Sequence, residues 1–184
     1  MTRIHMPPTV EASPAASQAS LNAVGKSLGS VPNLFRVVGN SPAALKGYLG
    51  LGAALGASGL DGALQERIAL AVAEVDGCDY CLSAHAYLGR HRAGLDDAEI
   101  TANRNGSSSD PQAAAAVRFA AQVVRARGHV TDEQLAAVRA AGYSDAQVIE
   151  ILLAVALNTF TNYVNEVART EIDFPHVHAT RAAA

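Results

Sequence analysis

Between Asp61 and Gly94 the sequence reads as two helices written almost end to end with one glycine between them. Leu64, Ile68, Ala71, Val72 and Val75 recur at steps of three and four, Asp61 offers a capping carboxylate, and Gly77 supplies a stop. A second helix is expected to begin directly after that glycine, over CDYCLSAHAYLGRHRAG, and to end near Gly94. Helices joined so tightly must fold back on one another, and no other part of the chain alternates for long enough to seed a sheet. The expected fold class is therefore all-α, an antiparallel helical bundle.

The rest of the chain is punctuated in the same way. LNAVGKSLG forms a short helix, Ser30, Pro32 and Asn33 make a turn into NLFRVVG, and Gly39 ends that segment. Ser41 caps a helix over AALKGYLGLGAALG, with Pro42 at the first position, where its missing N–H costs nothing. Asp96 opens a short acidic segment and NRNGSSSDP is a loop, after which Asp110 and Pro111 launch a long Ala- and Val-rich helix to Gly128. Thr131 with Gln134, and Ser144 with Gln147, are capping boxes. The last helix, from Asp145 to Arg169, is expected to bury a broad face of Val148, Ile151, Leu152, Val155, Ala156, Phe160, Tyr163, Val164 and Val167. Residues 21–175 are read as a single helical domain. Residues 1–20, rich in Pro, Ser and Ala without periodicity, are expected to be a flexible tail or an arm that orders only against a partner subunit, and 176–184 an irregular C-terminal tail.

Composition excludes several classes of function. Charges break up every apolar stretch, so no membrane span is expected, although 49% of the residues are hydrophobic. The first twenty residues lack the continuous apolar core of an export signal. Net charge is −3 and the 14 Lys and Arg residues are dispersed, so the electrostatic footprint of a nucleic-acid binder is missing. Two cysteines three residues apart cannot form the multi-bridge framework of small secreted domains, and a cytoplasmic thiol pair is expected. An Ala-rich chain with apolar faces on several helices has more surface to bury than a monomer needs, so a homo-oligomer is expected.

The chemistry concentrates at Cys78, Cys81 and His85. At about 100° per residue the three fall on one side of a helix. A cysteine in the first turn faces unpaired N–H groups and the positive end of the helix dipole, which favours thiolate, and Cys78 gains most from this. His85 lies four residues past Cys81, where its imidazole can accept or relay the Cys81 proton. CxxC spacing also lets one cysteine attack and the other resolve the sulfenic acid as a disulfide. The dipole argument favours Cys78 as attacker and the histidine argument Cys81, and the reading leans to Cys81. Zinc is the main rival. Its nearest further ligand, His91, points away at about 220° on the same wheel, so neither a metal nor a cofactor is expected. Leu82 after the second cysteine excludes c-type haem attachment. The inert alternative, two small buried hydrophobes, is weakened by their pairing beside an in-register histidine. Taken alone, Glu66 between Gln65 and Arg67 reads as a solvated helix charge.

The segment GALQERIALAVAEVDGCDYCLSAHAYLG resembles the core signature of the AhpD-like alkylhydroperoxidases, in the carboxymuconolactone decarboxylase superfamily. The likeness rests on a glutamate twelve residues before the first cysteine, then CxxC, then histidine four after the second. LNTFTNYVNEVARTEIDFP is similar to the closing helix and tail of the peroxidase-related branch, and the whole likeness runs from about Val31 to Pro175. It implies a trimer or hexamer of the AhpD-like helical fold and a thiol peroxidase acting on hydrogen peroxide or organic hydroperoxides. It also implies a proton relay that enlists Glu66 with His85, Cys78 and Cys81. The dithiol electron donor of the best-described relatives is carried by a lipoyl-bearing adaptor protein. Where those relatives have a histidine directly before the second cysteine, this chain has Tyr80, which can hydrogen-bond a peroxide oxygen or simply pack. Decarboxylases of the superfamily are recognised without the thiol pair, so Cys78 and Cys81 favour the redox branch. A cofactor-free decarboxylase and a non-catalytic redox-sensing assembly protein are the alternatives.

Overall fold

A computed structural model describes residues 2–180. The fold is all-α, with nine helices and no strand among the described residues. They are α1 (Ala15–Leu28), α2 (Asn33–Val38), α3 (Pro42–Gly56), α4 (Gly62–Asp76), α5 (Asp79–Arg92), α6 (Asp97–Arg104), α7 (Pro111–Ala126), α8 (Asp132–Ala140) and α9 (Asp145–Ala168). The expected caps are in place. Ser41, Asp61, Asp96 and Asp110 accept backbone N–H bonds at the starts of α3, α4, α6 and α7, and both capping boxes close.

α4 is the axis of the molecule, packed against α5, α6, α7 and α9. It can fill that position because it is apolar nearly all round, as a helix surrounded by others must be. Leu64, Ile68 and Val72 face a core built with Phe119 of α7, Val138 of α8 and Val148 and Ile151 of α9. Leu70 and Ala73 face a second core with Leu21, Leu34, Leu45, Leu82 and both cysteines. The CxxC segment thus rests on the back of the helix that organises the main core.

Three regions differ from the sequence reading. The first twenty residues, expected to be a flexible tail, are fastened to the domain. Arg36 donates to the carbonyls of Pro7 and Pro8, Asn40 donates to His5, and the Arg3 N–H reaches the Ala168 carbonyl at 2.7 Å. These bonds use main-chain oxygens, which leave no side-chain pattern to read. α1 also starts at Ala15, six residues earlier than expected, because its first inward residue is Ser17, whose hydroxyl donates to Gly39 O at 2.7 Å. Residues 176–180 form no helix or strand and are strapped over the start of α5. Val177 and Ala179 N–H groups bond Ser83 and Asp79, and Thr180 N–H bonds Glu74. Met1 and residues 181–184, which the sequence places in the two tails, lie outside the described residues.

The third difference is α9. Val148, Ile151 and Val155 are buried as expected, but Ala156, Phe160, Tyr163 and Val167 are exposed, Tyr163 and Val167 each to 59%. In its second half the inward face is Asn158, Thr161, Asn162 and Asn165. By length and composition alone α9 could cross a membrane, contrary to the sequence reading. That polar inner stripe packed against α4 marks it instead as a core helix. Ile68→Ala, which empties a fully buried site on α4, is expected to lower the unfolding free energy by about 2–5 kcal/mol. Lys46→Ala on the exposed surface of α3 should shift it by less than about 0.5 kcal/mol, and urea titration followed by helical circular dichroism reads both.

Candidate active site

Gly77 ends α4 with φ +72°, a left-handed turn that lets the chain reverse within one residue. Cys78 follows in an extended conformation as the N-cap of α5, and its sulfur accepts the N–H of Cys81 at 3.3 Å. The two sulfurs lie 2.8 Å apart, and both cysteines are free thiols. Their surroundings are unequal. Cys78 is fully enclosed, whereas Cys81, 2% exposed, forms part of the floor of a cavity of about 810 Å³.

Above Cys81 stands His85, one helical turn along α5, with its Nδ1 2.8 Å from Oε2 of Glu66 on α4. Glu66 and His85 each keep about a fifth of their side chain exposed, and both line the cavity. The local reading of Glu66 as a solvated charge is thereby corrected: the carboxylate is turned inward onto the imidazole. α9 closes the site from the opposite side, where Asn165 Nδ2 donates to Cys81 Sγ at 3.2 Å.

These contacts act differently on the two sulfurs. Burial pushes the Cys81 thiol up. The Cys78 hydrogen bond, the His85 charge and hydrogen bonds from Asn165 and Thr161 together outweigh it and hold Cys81 below the ordinary thiol range. Cys78 moves the other way, because its proton is held on the Cys81 sulfur and because it is buried. Any gain Cys78 draws from the helix dipole is thus opposed by burial and by the S–H that it donates to Cys81. For His85, burial alone would lower the pKa, but the Glu66 carboxylate, with Cys81 and Asn158, raises it above the usual imidazole value. Thiolate and imidazolium thus stabilise each other.

Tyr80 lines the cavity but its hydroxyl is committed. It accepts the Leu34 N–H at 3.1 Å, its ring meets Phe174 edge-on at 5.9 Å, and burial pushes its pKa up. It ties α5 to α2 and to the tail. His91 packs against Tyr87 at the rim, with ring centres 4.4 Å apart and the planes tilted by 49°. Sequence reasoning missed Asn158, Thr161 and Asn165. The signal that could have found them is a polar stripe at helical spacing inside the most apolar helix of the chain.

Residues 42–126 match the carboxymuconolactone decarboxylase family. Among solved structures, the chain is similar to an uncharacterized peroxidase-related protein with an alkylhydroperoxidase AhpD core from Ralstonia eutropha JMP134. The TM-score is 0.82 at 23% identity, covering 94% of this chain and 92% of that one. An uncharacterized peroxidase-related protein from Silicibacter sp. TM1040 gives 0.79 at 23%, covering 93% and 94%. The debrominase Bmp8, in complex with 2,3,4-tribromopyrrole, gives 0.72 at 22%, covering 84% of each chain. No curated protein matches the sequence. The family match covers the central segment, and the AhpD-like helical fold is shared along nearly the whole length of the chain.

Proposed function

We propose that this protein is a thiol peroxidase that reduces hydroperoxides through the Cys81/Cys78 pair with Glu66 and His85 as proton relay. The observation that carries the reading is the Glu66–His85 hydrogen bond one helical turn from Cys81 at a cavity floor, with the Cys78 sulfur 2.8 Å behind it. The Cys81 thiolate attacks the distal oxygen of the hydroperoxide and the O–O bond breaks. The departing alkoxide takes the proton of the His85 imidazolium and leaves as an alcohol. Cys78 then attacks the sulfenic sulfur of Cys81, its proton passing to the departing hydroxide, so that water and a disulfide result. A dithiol donor returns two electrons and two protons to the pair. The expected homo-oligomer has its candidate surface in the exposed α9 stripe of Ile149, Phe160, Tyr163 and Val167.

A second reading is favoured by the size of the cavity, far larger than a peroxide needs, together with the likeness to a debrominase. Reductive removal of bromine from an aromatic ring would use the same dithiol, with a proton replacing the halogen and bromide departing. Bromide release from tribromopyrrole, with no thiol loss on adding peroxide, would replace the first reading by this one.

Three outcomes are expected of the peroxidase. Cys81→Ser abolishes peroxide consumption, whereas Cys78→Ser permits one oxidation that leaves the protein one oxygen heavier by mass spectrometry and no disulfide. Glu66→Gln removes the charge that raises His85, which in turn stabilises the Cys81 thiolate. The pH profile of thiol oxidation should then narrow from both sides, its acid limb moving up with Cys81 and its alkaline limb moving down with His85, and the maximum should fall by about 10–100-fold. Asn165→Leu withdraws a donor from the Cys81 sulfur, so thiolate absorbance should appear at higher pH than in the parent protein. An unchanged thiolate titration would remove α9 from the chemistry.

A further inference from the structure

We infer that the cavity selects hydroperoxides carrying a carboxylate some way from the O–O bond, and that Arg92 is the residue that reads it. The inference rests on the peroxidase reading above and adds to it a substrate class and a specificity-determining residue. Its basis is a ruler along α5. Cys81, His85, Leu88 and Arg92 recur at steps of four, three and four, so they lie in one line on a single face, and all four line the cavity. At 1.5 Å per residue, the line from Cys81 to Arg92 is about 16 Å long.

Its two ends differ in character. At the floor are Cys81, Ala69 and Leu55, all buried, and the walls are apolar, with Leu34, Phe35, Leu88, Leu157 and Phe174 among them. At the rim Arg92 is exposed and is the only Lys or Arg lining the cavity among the described residues. Its neighbour Arg90 is engaged by Asp97, and Arg36, Arg67 and Arg104 are likewise committed, whereas Arg92 has no carboxylate partner among the described residues. The two carboxylates in the lining, among the described residues, are occupied: Asp173 accepts the Asn33 N–H at 2.8 Å, and Glu66 holds His85. A helical side chain leans toward the N-terminus of its helix, which aims the guanidinium back over the cavity.

A ligand that places its O–O bond at Cys81 and an anionic group at Arg92 needs an apolar spacer between them. Allowing for the reach of the arginine, the gap corresponds to an extended chain of roughly eight to twelve carbons. A volume of about 810 Å³ accommodates such a chain, and an amphipathic acid is the chemistry that satisfies both ends. A fatty-acid hydroperoxide fits this description.

The full-length protein, reduced with dithiothreitol and desalted, is mixed with linoleic acid hydroperoxide or its methyl ester, and thiol loss is followed by rapid quench. The acid is expected to react about tenfold faster than the ester, the usual worth of one charge-assisted hydrogen bond. In Arg92→Ala the ratio should fall to near one, and Arg92→Lys should restore part of it. A ratio near one in the parent protein, or a parent-like ratio in Arg92→Ala, overturns the inference. Titration with dodecanoate, which cannot be reduced, separates this from the underlying reading. Arg92-dependent binding without oxidation by any hydroperoxide would keep the anion site and remove the peroxidase. Fast oxidation by tert-butyl hydroperoxide, with acid and ester equal, would keep the peroxidase and remove the anion site.

Discussion

A sulfur almost without contact with water can carry negative charge only if the protein supplies what solvent would have supplied, and the site is arranged to meet that demand at Cys81. Desolvation of an ion costs several kcal/mol even after relaxation. Against it stand one opposite charge on His85 and hydrogen bonds from Cys78, Asn165 and Thr161. The imidazolium faces the same difficulty and depends on Glu66. Carboxylate, imidazole and thiol therefore follow one another across two helices, each favouring the charged form of the next. None of the three groups is placed well unless α4 and α5 hold their mutual register.

That register comes from the turn between the helices. The left-handed conformation of Gly77 lets α5 begin at once, and it makes Cys78 a cap rather than a member of the helix. The division of labour between the two cysteines follows. As a cap, Cys78 accepts a backbone N–H and is driven into the second core, where it stays protonated and donates to Cys81. A helical wheel treats the two sulfurs as equivalent projections from one cylinder. It therefore assigns the benefit of the helix terminus to Cys78, where burial and the S–H donated to Cys81 oppose it.

Most of the helical plan was legible because it is written in local chemistry. Ser41, Asp61, Asp96 and Asp110 announce their helices through side-chain caps, and Gly39 and Gly77 sit at the ends of theirs. Spacing alone was enough for Cys81 and His85, whereas Glu66 needed the family resemblance, since nothing local separates an inward from an outward glutamate beside Gln65 and Arg67. What escaped was carried by tertiary partners. The arm before α1 is held through its carbonyls, and the inner face of α9 is polar. On α9 the rule that apolar residues face inward failed because the helix passes from a hydrophobic core to the thiol pair along its length, and the inner residues change from Val and Ile to Asn and Thr at that crossing.

This crossing explains how one small domain carries both a stable core and a buried charge pair. The first half of α9 joins α7 and α8 on one face of α4, where Ile68 and Val72 are fully enclosed. The second half leaves that core and delivers amides to the other side, where α5, α2 and the C-terminal strap enclose the thiols. Desolvation at the site is thus opposed by donors mounted on a helix that is anchored elsewhere. A helix fixed by its apolar half holds its polar half in place without relying on the weak hydrogen bonds to sulfur. Preorganisation of that kind lets a thiolate be stabilised before any substrate arrives, because the donors need no reordering when charge appears. The Asn-rich stripe would be a costly defect in a helix buried for stability alone, and here Asn165 meets the Cys81 sulfur while Asn162 binds Asp76.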